Sequence, residues 1–364
     1  MQDFRNGVSG WILTSLALAA LLAVPAAAVA QPFGLWTAFA GDGTLDASNG
    51  SLNIPNSAAL NPTSAITVEA WIVLNLPFAN QPCRSIVGKG YQSSYWVGVC
   101  VSGSTAQLRS YVNGQGSVFT AGTLPSTLVH IAVTSDGVTR KHYVDGELVG
   151  SQAESGPPAA NGSQLEIGSD VNWGYSLNGI VNEVRLWNVA RTVSQIRSTI
   201  NVPLRSAQPG LVAVWPMSSP NDVIGGHDGT FHGNLPPVLG PPAIASCGTS
   251  SGQELCLQGH YEIFAQFRVG APGTAKTDAT IVDAPNTGSG IFWFFSPDDW
   301  EIMAKVINGC ALNSQWWVFS AATTTVFYEL FVTDVQSGET KIYFNYPGPP
   351  APAVTDTSAF ACSG

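Results

Sequence analysis

The chain has 364 residues, of which only 10% are charged, far below the roughly 25% of ordinary soluble domains. With 38 Gly, 24 Pro, 11 Trp and 6 Cys it is not a coiled coil, a charge-rich disordered chain or a collagen-like repeat. A formal charge of −10 excludes a nucleic-acid partner, because a polyphosphate needs a basic footprint.

In chain order, residues 11–30 are apolar apart from Thr14, Ser15 and Pro25, and they close with Ala28-Val29-Ala30 ahead of Gln31-Pro32. This small-x-small ending reads as a secretory signal peptide, residues 1–30, cut after Ala30. A retained anchor is the competing reading, since twenty residues can just span a bilayer. Pro25 and the alanine-rich end favour cleavage, and no later stretch is apolar enough to span. The expected location is secreted, periplasmic or cell-surface. Export makes an even number of cysteines a disulfide framework. Six cysteines allow fifteen pairings. Nearness in sequence suggests Cys83–Cys100, Cys247–Cys256 and Cys310–Cys362. No C-x-x-C pair supports zinc instead.

Short alternating strands separated by turn signals follow, the pattern of an all-β sandwich or barrel. They are residues 65–73, 95–101, 129–134, 141–144, 147–149 and 179–187. Asp145-Gly146 lies between two of them and predicts a type I′ hairpin, which needs positive φ at both central residues. Thr192 and Gln195 form a T-x-x-Q capping box ahead of one short helix over 193–200. Pro clusters at 236–237 and 241–242 mark a linker over 235–245. Residues 31–245 carry 12 acidic and 9 basic residues, net −3; residues 246–364 carry 11 and 4, net −7.

The motifs Ala59-Leu-Asn-Pro-Thr-Ser-Ala-Ile-Thr-Val-Glu-Ala-Trp71, His130-Ile-Ala-Val-Thr-Ser-Asp-Gly137, Tyr143-Val-Asp-Gly146 and Gly179-Ile-Val-Asn-Glu-Val-Arg-Leu-Trp-Asn188 come in this order. Together they resemble the laminin-G-like jelly roll of the concanavalin A-like lectin and glucanase superfamily, over about 31–217. The resemblance implies a jelly-roll sandwich but not one function, because the fold hosts lectins, adhesion modules and glycosidases. The expected organisation is a laminin-G-like domain over 31–234, the linker, and a smaller β-sandwich domain over 246–364. The second half shows strand patterns at 261–269, 290–295, 301–307, 315–319, 325–333 and 341–344. Through Gly290-Ile-Phe-Trp-Phe-Phe-Ser-Pro297, Trp317-Val-Phe319 and Asp356-Thr-Ser-Ala-Phe360 it resembles an uncharacterised β domain of secreted bacterial proteins, which implies no function. The segment from Gly210 to Thr230 is either the stub of a second jelly roll or a closing strand of the first.

Catalytic motifs are scarce. The related β-glucanases use E-x-D-x-x-E on one strand, and this sequence has none. Asp298-Asp299-Trp300-Glu301 reads as a turn. Histidines 130 and 142 fall in strand patterns, and His227-Asp228-Gly229 reads as turn chemistry. On the 179–187 strand, alternation puts Ile180, Asn182, Val184 and Leu186 on one face. The resemblance implies a structural calcium near Asn182, where the family usually carries Asp. Asn49, near the first strand, is the second expected ligand. Calcium ligand and hydrogen-bonded amide both stay open for Asn182 at this point. Loop aromatics beside polar groups are the expected ligand contacts: Tyr91, Trp96, Asp170, Asn172, Trp173 and Tyr175. The preferred reading is a non-catalytic protein that binds a glycan or an extracellular protein. The alternatives are a glycoside hydrolase on the same fold and a structural envelope or matrix component.

Overall fold

The computed structural model describes residues 39, 42–48, 50–76, 83–102, 105–116, 123–125, 127–170, 175–233, 246–250, 252–282 and 287–362. Residues 1–30, expected to be a signal peptide, and 235–245, expected to be a linker, lie outside these residues. Leu35–Gly364 is one compact unit built of four antiparallel sheets.

Two sheets enclose the first core. The seven-stranded sheet runs Leu45–Asp46, Gly179–Trp187, Ile66–Leu74, Val129–Ser135, Thr139–Val144, Glu147–Ala153, with Leu211–Trp215 also paired to Gly179–Trp187. The six-stranded sheet runs Thr230–Gly233, Gly50–Ile54, Leu165–Ile167, Cys83–Lys89, Tyr95–Ser102, Thr105–Val112. Alternation sends Val68, Ala70 and Ile72 from one sheet, and Val97, Val99 and Leu108 from the other, into a single core cluster. The segment from Gly210 to Thr230 therefore closes the first sandwich, adding one strand to each of its sheets. Asp145 and Gly146 have φ of 48° and 72°, the positive values that the predicted hairpin requires. The capping box forms as expected: Thr192 Oγ1 accepts from the Gln195 N–H at 3.3 Å, and Gln195 Oε1 accepts from the Thr192 N–H at 2.8 Å. It starts the helix Val193–Thr199.

A second core cluster, with Ile263, Phe292, Val306 and Leu330, lies between two five-stranded sheets. One contains Tyr261–Arg268, Phe327–Asp334 and Glu339–Asn345; the other contains Ser289–Trp293, Trp300–Asn308, Gln315–Ala322 and Val354–Ala361. All three expected disulfides are present.

One alternation is corrected. A register shift between Val181 and Val184 reverses the parity of the strand at Asn182-Glu183. Val181, not Ile180, therefore joins Val184 and Leu186 in the core.

The outer face of the seven-stranded sheet carries buried charge. Glu69 is fully buried; Arg191 Nη1 lies 2.5 Å away, His130 Nε2 3.4 Å and Arg185 Nη1 3.6 Å. Arg191 also donates to the Gln195 carbonyl and, at 2.9 Å, to Thr199 Oγ1, which fastens the helix to the sheet. Burial alone would raise the Glu69 carboxyl, but His130, Arg185 and Arg191 outweigh it and hold it at about 2.

The second sandwich is joined to the first through the Asp145-Gly146 hairpin. Lys276 Nζ, 4% exposed as a side chain, pairs with Asp145 at 2.7 Å and with Glu329. Arg268 pairs with Glu147. Arg197 of the helix lies 3.6 Å over the Tyr346 ring, and Trp71 stacks on Phe344 with centroids 6.5 Å apart. Burial pushes Glu329 up to about 8 against the pull of Lys276. Burial, with the nearby Glu183 charge, pushes Asp42 up to about 8 as well, despite Arg205.

These shifts set a pH dependence. A carboxyl whose folded pKa lies above its unfolded value keeps a proton that the unfolded chain releases, so stability falls as pH rises towards about 8. His142 works in the opposite sense. Burial and Arg140 lower it from 6.5 to about 3, so its contribution rises with pH and is complete above 6.5. The denaturation midpoint is therefore expected to be lower at pH 8 than at pH 6.5. Equal midpoints would show that Asp42 and Glu329 are ionised at both.

Candidate functional site

The outer face of the six-stranded sheet gathers several of the expected residues. Register partners run across it in one row: Asn53, Glu166, Gly88, Trp96 and Tyr111. Trp96 sits on a strand with its side chain on the outer face, and it is fully buried. Two glycines make room for it. A Cβ on Gly88 would lie 2.8 Å from Trp96 Cδ1, and one on Gly98 would collide with Cζ2 and Cη2. The indole thus lies along the sheet, and its Nε1 edge runs from Gly88 to Gly98. Tyr91 packs edge-on against it with centroids 5.4 Å apart; Tyr91 also meets Tyr111 at 5.0 Å and Tyr175 at 6.0 Å. Burial and the contact with Tyr111 raise the Tyr91 phenol to about 12, so it stays a neutral hydrogen-bonding group.

Beside this cluster is a cavity of about 460 Å³ lined by Asn56, Gly88, Gly90, Ser163, Gln164, Glu166 and Asp170, among others. Its rim is tied down by Lys89, whose Nζ donates to Asn56 Oδ1 at 2.7 Å, Asn161 Oδ1 at 3.0 Å and the Ser163 carbonyl at 2.6 Å. Gln164 Nε2 donates to Glu166 Oε1 at 2.7 Å. The Asp170 carbonyl accepts from the Tyr175 N–H at 3.3 Å.

Of the sequence-predicted contacts, Tyr91, Trp96 and Tyr175 come together and Asp170 lines the adjoining cavity. Asn172 and Trp173 lie outside the described residues. Trp96 differs from the expected exposed loop plane: it forms the floor beneath the tyrosines. Its neighbour Tyr95 points into the core, where its hydroxyl donates to the Leu60 carbonyl at 3.0 Å. Glu166, Tyr111 and Gly88 were not singled out. Glu166 sits in a three-residue strand, and only the cross-strand register brings all three beside Trp96.

Of the two expected calcium ligands, Asn182 alone falls among the described residues. Asn49 lies outside the described residues. Asn182 donates its amide to the Gly43 carbonyl, and the adjacent Asp42 is paired with Arg205. No group of three His, Cys, Asp or Glu suited to a metal occurs among the described residues. A different pair, Ser110 Oγ and His142 Nε2 at 2.7 Å, has the make-up of a nucleophile and base. Both side chains are sealed between the sheets, so no substrate reaches them.

The family model of the Concanavalin A-like lectin/glucanases superfamily matches residues 46–197, a span that holds the whole row and cavity. No curated protein matches the chain in sequence. Among solved structures, a candidate carbohydrate-binding protein from Bacteroides ovatus is 19% identical, with a TM-score of 0.44, over 54% of this chain and 60% of that one. This chain therefore spans less than two thirds of that protein. A heptameric SAP-like pentraxin from Limulus polyphemus is 17% identical, with a TM-score of 0.35, over 52% of this chain and 94% of that one. The CBM40 of a Ruminococcus gnavus sialidase, bound to α2,3-sialyllactose, is 8% identical, with a TM-score of 0.34, over 44% and 98%. Among the described residues, no helix is long and apolar enough to cross a membrane.

Proposed function

We propose that this is an exported, non-catalytic glycan-binding protein. Residues 1–30 direct export, a laminin-G-like domain over 31–234 carries the site, and the β-sandwich domain over 246–364 follows a linker at 235–245. The observation that carries this reading is the polar cavity at Gly88, walled by Glu166 and Asp170 and flanked by the Tyr91–Trp96–Tyr111–Tyr175 cluster. Sugars offer apolar ring faces to aromatic rings and hydroxyls to carboxylates and amides, and this face carries an aromatic cluster beside a polar cavity. Titration calorimetry with the best binder from a glycan array tests it. Tyr91→Ala is expected to weaken binding by about 2 kcal/mol, close to thirtyfold, as for a truncated aromatic anchor. Unchanged affinity would remove the aromatic cluster from the site.

A second reading rests on the same cavity. Two carboxylates, Glu166 and Asp170, line it, and a glycosidase needs such a pair. Polysaccharide hydrolysis by the purified protein, abolished in both Glu166→Gln and Asp170→Asn, would favour that reading. Binding without product release favours the first.

A further inference from the structure

The rim of the cavity is built around a buried ammonium. Lys89 follows Gly88 in its strand and pairs in register with Tyr95, so its side chain turns to the inner side of the sheet, where it is fully buried. Its Nζ donates to four oxygens: Asn56 Oδ1 at 2.7 Å, Asn161 Oδ1 at 3.0 Å, the Asn161 carbonyl at 3.3 Å and the Ser163 carbonyl at 2.6 Å. All four acceptors are neutral. Burial lowers the Lys89 pKa to about 8, so the group is mainly charged at pH 7.

The oxygens are fixed by amides of the same segments. Asn61 Nδ2 donates to Asn56 Oδ1 at 2.9 Å, and the Ser163 N–H donates to Asn161 Oδ1 at 3.1 Å. Asn161 Nδ2 donates to the Lys89 carbonyl at 3.0 Å, and the Asn161 N–H to Asn61 Oδ1 at 3.0 Å. Three stretches of chain, at Asn56, Lys89 and Asn161, therefore meet at one charge. They also line the cavity: Asn56 and Ser163 directly, and Gly88, Gly90 and Gly162 as chain neighbours of Lys89 and Asn161. Neutral carbonyl oxygens gathered around one point are the ligands that replace water around a monovalent cation in a channel filter. Here the cation is a side chain. Without it, four partly negative oxygens would face one another with no positive charge among them, and a buried polar group stripped of its partner is costly.

Within the glycan site proposed above, on which this step rests, we infer that Lys89 is a positioning residue whose ammonium is the resident cation of an oxygen cage, and that the cavity holds its binding shape only while the cage is filled. The lysine reaches no sugar. It acts through Asn56, Asn161 and Ser163, which set the rim.

Chemical rescue tests this at pH 7. Lys89→Ala keeps Cβ, and the atoms it loses are those of propylammonium. Buried cavities left by truncation can take up small molecules of matching size and polarity. Lys89→Ala is expected to bind the best array glycan at least tenfold more weakly than wild type and to melt at a lower temperature. Propylammonium chloride is expected to restore both, saturably. Propanol lacks the charge and tetramethylammonium lacks the N–H donors, so neither is expected to restore either. Lys89→Met keeps the stem without the donors and serves where Lys89→Ala does not fold; the same tenfold loss is expected. Wild-type affinity in either variant overturns the inference. So does a melting point restored by propylammonium while affinity stays low, because Lys89 would then hold the fold and not the site. Failure of the wild-type chain to bind any glycan overturns the glycan reading itself, and is seen before any variant is made.

Discussion

Glu69→Ala is expected to destabilise the protein by about 3–5 kcal/mol, the cost of removing one partner from a buried ion pair. The reason is what remains behind. Arg191 is nearly inaccessible and would keep its charge without a carboxylate beside it, while Arg185 retains Glu183 at 2.5 Å. Arg191 also fastens the helix Val193–Thr199 to the sheet, so the helix loosens with it. Natural domains have only about 5–15 kcal/mol of stability, which makes this a large fraction. The denaturant midpoint at neutral pH measures it. The same network sets a sign at low pH. Glu69 is held near 2 against an ordinary value of 4.5, so its contribution is present above 4.5 and is lost as pH falls towards 2. A loss below 1 kcal/mol in Glu69→Ala would mean that water replaces the carboxylate.

Lys276→Met is expected to cost a similar amount, about 3–5 kcal/mol, but at the seam between the sandwiches. Asp145 and Glu329 would then face each other without the ammonium that both contact. The Arg268–Glu147 pair and the Trp71–Phe344 stack remain, so the seam weakens without vanishing. Unfolding is expected to separate into two transitions, the second sandwich melting apart from the first. Glu329 already holds its proton more tightly than usual, so acid relieves the repulsion, and the deficit should be smaller at pH 5 than at pH 8. A single unshifted transition would show that the ion pairs do not couple the sandwiches.

Where the sequence carried a local physical signal, the structure could be read from it. Asp145-Gly146 demanded positive φ at two adjacent residues, and Thr192 with Gln195 demanded a helix start. The three nearest-neighbour disulfides also form. Strands escaped notice where alternation fails. In Cys83–Lys89 a bulge buries both Ile86 and Val87, which hides the period of two. In Thr105–Val112 the inward Ser110 bonds to His142 rather than packing as an apolar residue. Leu165–Ile167 is too short to show any period. Those three strands supply Gly88, Tyr111 and Glu166, so the site was half visible. Tyr91, Trp96 and Tyr175 stand out by residue type, whereas their partners become visible only through cross-strand register.

The central claim is that the outer face of the six-stranded sheet, around Gly88, receives a sugar. A crystal structure of the protein with its best array glycan tests this most directly. The account predicts a ring seated at Gly88, hydrogen-bonded to Glu166 and touching Tyr91. A ring bound at the seam between the sandwiches, or on the second sandwich, with the Gly88 cavity holding only water, would contradict it.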